Sequence, residues 1–125
     1  MEKMKAKILV VDDEKTIRDI LETFLEKKGY EVATAATAEE CLEKLKNEKP
    51  KIILLDIRLP GMSGVEAIKK IRRIDENVGV IMATAVLDEE VAKKTIEMGA
   101  ADYIVKPFDL DYLEKTLTVK LASMV

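Results

Sequence analysis

The chain of 125 residues is 48% apolar and 36% charged, and its formal net charge is −3. These values are typical of one folded domain, and the negative charge argues against nucleic acid or an anionic membrane as a direct partner. With one cysteine and no histidine, the chain excludes an internal disulfide, zinc sites built on those ligands, and Ser-His or Cys-His nucleophile pairs. The apolar runs are too short for a membrane span and the N-terminus lacks the apolar segment of a signal peptide, so we expect a cytoplasmic protein.

Five short segments are predicted to be β-strands. Residues 8–11, 52–55, 80–83 and 103–105 are mostly branched apolar residues, which is typical of parallel strands that are buried on both faces. The segment "YEVATA", residues 30–35, alternates polar and apolar residues instead. This alternation predicts a half-exposed strand at the edge of the sheet.

Apolar residues at helical spacing predict an α-helix after each strand. The segments with this spacing are 17–25, 38–45, 67–71, 91–95 and 110–121. Thr37 and Ser63 are each followed three residues later by glutamate, which is the spacing of a capping box at a helix start. Gly29 is expected to end the first helix, and Asp88 is expected to cap the fourth. The fourth helix has the weakest apolar stripe, to which Val91 contributes.

Five β-α units in succession predict a flavodoxin-like, doubly wound α/β fold with a five-stranded parallel sheet in the order 2-1-3-4-5. We expect residues 1–125 to form a single domain. In such sheets, ligands bind beyond the carboxyl ends of the strands, where the strand order reverses between strands 1 and 3.

Polar side chains follow four of the predicted strands at this edge. Asp12 and Asp13 follow the first strand, Asp56 the third, Thr84 the fourth and Lys106 the fifth. Adjacent carboxylates repel each other by a few kcal/mol at an effective dielectric constant near 20, and a cation removes that cost. Carboxylate oxygens are the ligands that Mg²⁺ prefers. The cluster therefore predicts a Mg²⁺ site in which one aspartate is a nucleophile that forms an aspartyl phosphate.

Each of these residues also has a simpler interpretation. Asp13 alone would be a helix cap, Asp12 a surface charge and Lys106 a solvated charge. Cys41 lies on the apolar stripe of the second helix, so we interpret it as a small buried apolar residue.

The motifs "VVDDE", "LLDIRLPGMSG", "IMATA" and "GAADYIVKPF" occur in this order along the chain. At these residues the sequence resembles the receiver domain of two-component response regulators, including chemotaxis and sporulation phosphorelay receivers. The resemblance covers nearly the whole chain. It implies a phosphoacceptor signalling domain that catalyses only its own phosphorylation and dephosphorylation.

The resemblance also implies a role for each site residue. Asp56 would accept the phosphoryl group, and Lys106, in a cis peptide bond with Pro107, would bind a phosphoryl oxygen. Thr84 and Tyr103 would change conformation after phosphorylation. The implied Mg²⁺ ligands are Asp12, Asp13, Asp56 and the backbone carbonyl of Arg58.

The implied partners are a phosphoryl donor and a target of the signal. Because the chain has no histidine, a sensor histidine kinase or a histidine phosphotransfer protein must supply the phosphohistidine. The phosphorylated domain would then control a downstream effector protein or a fused output domain through the surface of the fourth helix, the fifth strand and the fifth helix.

Three alternatives remain open at this point. A pseudo-receiver would have the same fold and bind a partner without being phosphorylated. A flavin carrier would need backbone amides and hydroxyls after the first strand, where this chain has "DDEKT". Phosphatases of the haloacid dehalogenase type would have acids two residues apart at that place, whereas here the acids are adjacent.

Overall fold

The computed structural model describes residues 5–124, which form a parallel β-sheet between two layers of helices. The strands are β1 (Lys7–Val11), β2 (Glu31–Ala35), β3 (Ile52–Asp56), β4 (Gly79–Thr84) and β5 (Asp102–Val105). The helices are α1 (Lys15–Lys27), α2 (Ala38–Glu48), α3 (Gly64–Ile74), α4 (Glu89–Glu97) and α5 (Leu110–Ser123). A short 3₁₀ turn, Val86–Asp88, precedes α4.

The strand order is β2-β1-β3-β4-β5 and every pairing is parallel, which confirms the predicted fold. In β2 only the last residue is buried, as expected of a half-exposed edge strand. Val11 lies opposite Leu55, and Asp56 lies opposite Ala83. The carboxyl ends of β1, β3 and β4 are therefore aligned at one edge of the sheet.

Alternating strand residues build two apolar clusters, one on each face of the sheet. In β1, Leu9 and Val11 belong to the cluster that α2, α3 and α4 cover, whereas Ile8 and Val10 belong to the cluster that α1 and α5 cover. This alternation explains why the central strands are continuous apolar runs: both of their faces are covered by helices.

The predicted helix ends are mostly confirmed. The hydroxyl of Thr37 accepts a hydrogen bond from the Glu40 N–H, and Ser63 accepts one from Glu66, each at 3.1 Å. Gly29 follows the end of α1 with a φ of +97°, a conformation that glycine adopts at little cost.

Two local predictions, for Asp88 and Val91, are wrong, and so is the alternative interpretation of Asp13 as a helix cap. Asp88 precedes α4, but its carboxylate makes no capping hydrogen bond and binds an arginine instead. Asp13 is not the cap of α1, because Glu14 occupies that position without a side-chain bond. Val91 was expected in the apolar stripe of α4 but is 39% exposed, so that only Ala92 and Thr95 of this nine-residue helix are buried.

Candidate functional site

Three aspartates meet at the carboxyl ends of β1 and β3. Asp12 and Asp13 follow β1 directly, and Asp56 is the last residue of β3. One carboxylate oxygen of each lies within 4.8 Å of the others. Asp12 and Asp56 are buried, whereas Asp13 is exposed. The predicted acidic cluster is thus present, and it has two buried members and one open to water.

Lys106 lies between the two buried carboxylates. Its ammonium is 2.9 Å from Oδ2 of Asp12 and 3.2 Å from Oδ2 of Asp56. The peptide bond to Pro107 is cis, and the Lys106 N–H donates to the carbonyl of Thr84 at 2.6 Å. The interpretations of Asp12 as a surface charge and of Lys106 as a solvated charge are therefore wrong.

The pKa values in this cluster follow from burial and from these contacts. Burial raises the pKa of Asp56, although the Arg58 N–H and the ammonium of Lys106 favour its ionised form. For Lys106, burial alone would lower the pKa, but the bonds to Asp12 and Asp56 outweigh burial and raise it. The site therefore keeps a charged lysine beside Asp56, whose ionisation is opposed by desolvation.

The turn after β1 is fixed by contacts that the sequence did not reveal. Oδ1 of Asp12 accepts a hydrogen bond from the Glu14 N–H at 2.9 Å, and the guanidinium of Arg18 donates to the Asp12 carbonyl at 2.8 Å. Within residues 5–124, the carboxylate of Asp13 takes part in none of the hydrogen bonds or ion pairs. Asp12 is thus held in place, while Asp13 faces the solvent.

Thr84 lies on β4, which pairs with β3, and Tyr103 lies on β5, the edge strand beyond β4. Thr84 is fully buried at the end of β4, and its hydroxyl donates to the neighbouring carbonyl of Ala85 at 3.1 Å. Tyr103 is half-buried on β5, and its hydroxyl contacts the carboxylate of Glu89, at the start of α4, at 3.3 Å. Both side chains thus lie close to the β4–α4 connection.

Arg58 contributes more than the backbone carbonyl that the resemblance implies. Its N–H donates to Oδ1 of Asp56 at 3.1 Å. Its guanidinium forms two hydrogen bonds with the carboxylate of Asp88, both at 2.6 Å. These residues are 30 positions apart, and the only sequence signal for their contact is that each follows the end of a neighbouring strand.

The donor set fits a hard divalent cation. Three carboxylates supply oxygen ligands only, and a pocket that draws an ammonium to two of them attracts cations. One oxygen of each carboxylate lies within 4.8 Å of the others, so Asp12, Asp13 and Asp56 are the residues that would hold such an ion.

An apolar groove adjoins the site on the side of α1. It is lined by Ile17, Ile20, Leu21, Lys106, Pro107, Phe108 and Leu110. Ile20 was predicted as part of the buried stripe of α1 but is 48% exposed. Because Lys106 lines both the groove and the acidic cluster, the two features form one continuous surface.

The sheet order and the cluster at its edge define a class of signalling domain, and comparisons with known proteins agree. The sequence model of the response regulator receiver domain matches residues 8–118, and the chain belongs to this family. Receiver domains act in two-component signalling, where they interact with histidine kinases and output domains. The predicted class of protein is thereby confirmed.

Two relatives match this chain over most of their length. The chain is 40% identical to sporulation initiation phosphotransferase F of Bacillus subtilis over 108 residues, which are 86% of this chain and 87% of the relative. It is 42% identical to the chemotaxis protein CheY of Thermotoga maritima over 84% of this chain and 88% of the relative. It is 46% identical to the transcriptional regulatory protein PhoP of B. subtilis but spans only 44% of that protein.

Solved structures show the same fold. A CheY-like receiver domain protein from Methanospirillum hungatei JF-1 superposes with a TM-score of 0.91 at 37% identity, over 98% of this chain and 97% of the other. Among residues 5–124, no helix has the length and apolar character needed to cross a membrane.

Proposed function

We propose that this domain accepts a phosphoryl group on Asp56 from a phosphohistidine in a Mg²⁺-dependent reaction. The observation that carries the proposal is the arrangement of Lys106, whose ammonium bridges the buried carboxylates of Asp12 and Asp56. Such a site offers a nucleophile, a cation for the incoming phosphoryl oxygens, and oxygen ligands for a metal. Mg²⁺ bound by Asp12, Asp13, Asp56 and the Arg58 carbonyl would neutralise charge on the phosphoryl group.

In the transfer, a carboxylate oxygen of Asp56 attacks phosphorus and forms the new P–O bond. The P–N bond to the donor imidazole breaks, and its electron pair leaves with the imidazole. Lys106 binds an oxygen of the transferred group, while the Arg58 N–H holds the other oxygen of Asp56. The groove beside Lys106 suits the donor protein, because an apolar face that continues into the reaction site positions a partner's histidine there.

The phosphoryl group carries a charge of about −1.5 to −2, and because it replaces the single negative charge of the Asp56 carboxylate, the site gains at most about one negative charge. Within residues 5–124, the hydroxyl of Thr84 donates to the Ala85 carbonyl and to no other group, so it can turn towards the new anion. The hydroxyl of Tyr103 is hydrogen-bonded to Glu89 at the start of α4, and the ring moves into the space that Thr84 leaves. The surface of α4, β5 and α5 thereby reports the phosphorylation state to an effector protein or a fused output domain.

Small phosphodonors test this proposal without the natural partner. Wild-type protein is incubated with Mg²⁺ and either acetyl phosphate or phosphoramidate, which carries a P–N bond, and its mass is measured. We expect the addition of one phosphoryl group, which chelator prevents and hydroxylamine removes, as expected of an acyl phosphate. Asp56→Asn should abolish the addition, and Asp19→Asn, an exposed aspartate on α1, should leave it unchanged.

The same experiment separates the alternatives. A wild-type protein that gains no mass with either donor would be a pseudo-receiver. A gain that persists in Asp56→Asn would place the acceptor at another residue.

A further inference from the structure

Arg58 and Asp88 connect the two loops that flank the acceptor site. Arg58 lies two residues after Asp56, and Asp88 lies four residues after Thr84, immediately before α4. Nε and one terminal nitrogen of the guanidinium each lie 2.6 Å from a different oxygen of the carboxylate. This two-point contact fixes the β4–α4 connection relative to the loop that carries the acceptor.

Asp88 binds Arg58 instead of capping α4. It occupies the position before the first turn of α4, where aspartate normally accepts a hydrogen bond from the helix backbone. The capping residues Thr37 and Ser63 do so with ψ values of 162° and 158°, whereas Asp88 has a ψ of 9° and makes no capping bond. The side chain of Asp88 is buried, at 8% exposure, and faces the guanidinium.

Arg58 also lies beside the position that a phosphoryl group on Asp56 would occupy. Its N–H already contacts the acceptor carboxylate, and its side chain is 75% exposed and therefore free to rotate when released. A phosphoryl group is a doubly charged anion that arginine binds through two parallel hydrogen bonds. The guanidinium can thus exchange Asp88 for the phosphoryl group, and Asp88 can then cap α4.

We propose that the Arg58–Asp88 pair is a latch that holds the unphosphorylated arrangement, and that Asp88 is a positioning residue that keeps the guanidinium of Arg58 away from the acceptor. This inference rests on the proposed function, because it concerns the phosphoryl group on Asp56. Release of the latch frees the connection that carries Thr84 and gives the first turn of α4 a cap. By linkage, a contact present only in the unphosphorylated state lowers the affinity for a phosphoryl group.

The test uses beryllofluoride with Mg²⁺ as a non-covalent mimic of the phosphoryl group. Its dissociation constant is measured by calorimetry for wild type and for Asp88→Asn, which removes the charge but retains a capping oxygen. We expect binding to be at least about fivefold tighter in the variant, the lower end of typical coupling between two sites. Asp88→Ser, which also caps helices well, should give the same result and replaces Asp88→Asn should that variant fold poorly.

Two comparisons show whether Asp88 acts through Arg58. In the Arg58→Ala background, Asp88→Asn should change the dissociation constant by less than about twofold. Glu90→Gln is the matched control, because it removes one negative charge from the first turn of the same helix. Glu90 is exposed, and among the described residues it pairs with Lys93 alone. Glu90→Gln should leave binding unchanged.

The outcomes are distinct. Equal affinities of wild type and Asp88→Asn for beryllofluoride would overturn the latch but not the proposed function. The same holds if Asp88→Asn still tightens binding in the Arg58→Ala background, or if Glu90→Gln tightens binding to the same extent. A wild-type protein that neither binds beryllofluoride nor gains phosphoryl mass would overturn the proposed function and the latch with it. Tighter binding that requires Arg58 supports the latch, whereas a merely structural role would change the melting temperature and leave the affinity as it is.

Discussion

Asp13 is the acidic residue of the cluster whose charge is least compensated, and replacing it with alanine should stabilise the metal-free protein. Lys106 contacts Asp12 and Asp56 but not Asp13. The Asp13 carboxylate is exposed and lies within 4.8 Å of the other two. Removing it takes away repulsion without breaking a hydrogen bond to any of residues 5–124.

The distances give the size of the effect. Two unit charges 4.8 Å apart repel by about 1 kcal/mol in water and by about 3.5 kcal/mol at an effective dielectric constant of 20. Asp13 is exposed, so the lower value applies to each of its two neighbours, and attraction to Lys106 offsets part of the sum. We therefore expect Asp13→Ala to raise the free energy of unfolding without metal by about 1 kcal/mol, which is about 3–5 °C in melting temperature for a domain of this size.

Mg²⁺ should reverse the order of the two proteins. At ten times the dissociation constant, an ion that binds only the folded state stabilises it by RT ln 11, about 1.4 kcal/mol. Asp13→Ala removes one ligand and one charge from the site, so it should lose most of this gain. Wild type should therefore be the less stable protein in chelator and the protein that responds to millimolar Mg²⁺.

Thermal melts in chelator and in millimolar Mg²⁺ measure both effects. Asp13→Asn, which removes the charge and keeps the shape, should behave as Asp13→Ala does. Glu76→Ala, which removes an exposed charge before β4 at the opposite edge of the sheet, should change neither melt. The repulsion argument for this cluster is wrong if Asp13→Ala melts at a lower temperature than wild type in chelator and if Mg²⁺ raises the melting temperatures of both proteins equally.

Two further predictions concern the side-chain contacts of Arg72 and of Asp88. The guanidinium of Arg72 donates to the carbonyl of Val78 at 2.6 Å and to that of Gly99, which follows α4, at 2.5 Å. Arg72→Ala should therefore lower the free energy of unfolding, measured in urea, by about 2 kcal/mol. Arg73→Ala, at an exposed neighbouring position, should leave it almost unchanged. Arg58 lowers the pKa of Asp88, so the stability that this ion pair contributes is present above about pH 4 and is lost as the pH falls through the folded-state pKa. Urea midpoints of wild type should exceed those of Asp88→Asn near pH 6 and converge with them near pH 2, and a constant difference across this range would contradict the assignment.

The fold was predictable because its signals are local and agree with one another. Continuous apolar runs gave the buried strands, and the alternating run "YEVATA" gave the edge strand. Thr37 and Ser63 cap their helices as predicted, because the bond that each makes is with a residue three positions away. Contacts of this range depend on the neighbouring sequence and little on the tertiary structure.

Asp88 shows where local reasoning fails. It has the residue type and position of a helix cap, and it has the same intrinsic preference for that role as the two residues that fill it. Its carboxylate binds instead to an arginine 30 residues away in the chain, and this contact provides two charge-assisted hydrogen bonds where a capping contact provides one. Nothing in the sequence around Asp88 contains that competitor.

Asp12 and Asp13 show a second limit, because the sequence places two identical residues side by side and the structure separates them. The chain turns away from the sheet after Asp12, whose N–H still donates to the carbonyl of Ala35. Asp12 therefore remains buried with Lys106, the Glu14 N–H and Arg18 around it, while Asp13 is exposed. A pair in which both members were buried would cost several kcal/mol that one lysine could not offset. A pair in which both were exposed would leave no ordered oxygen for a metal or a phosphoryl group. The observed division gives one carboxylate that is fixed by the fold and one whose charge is solvated by water, and this explains why a buried strand can end in adjacent aspartates.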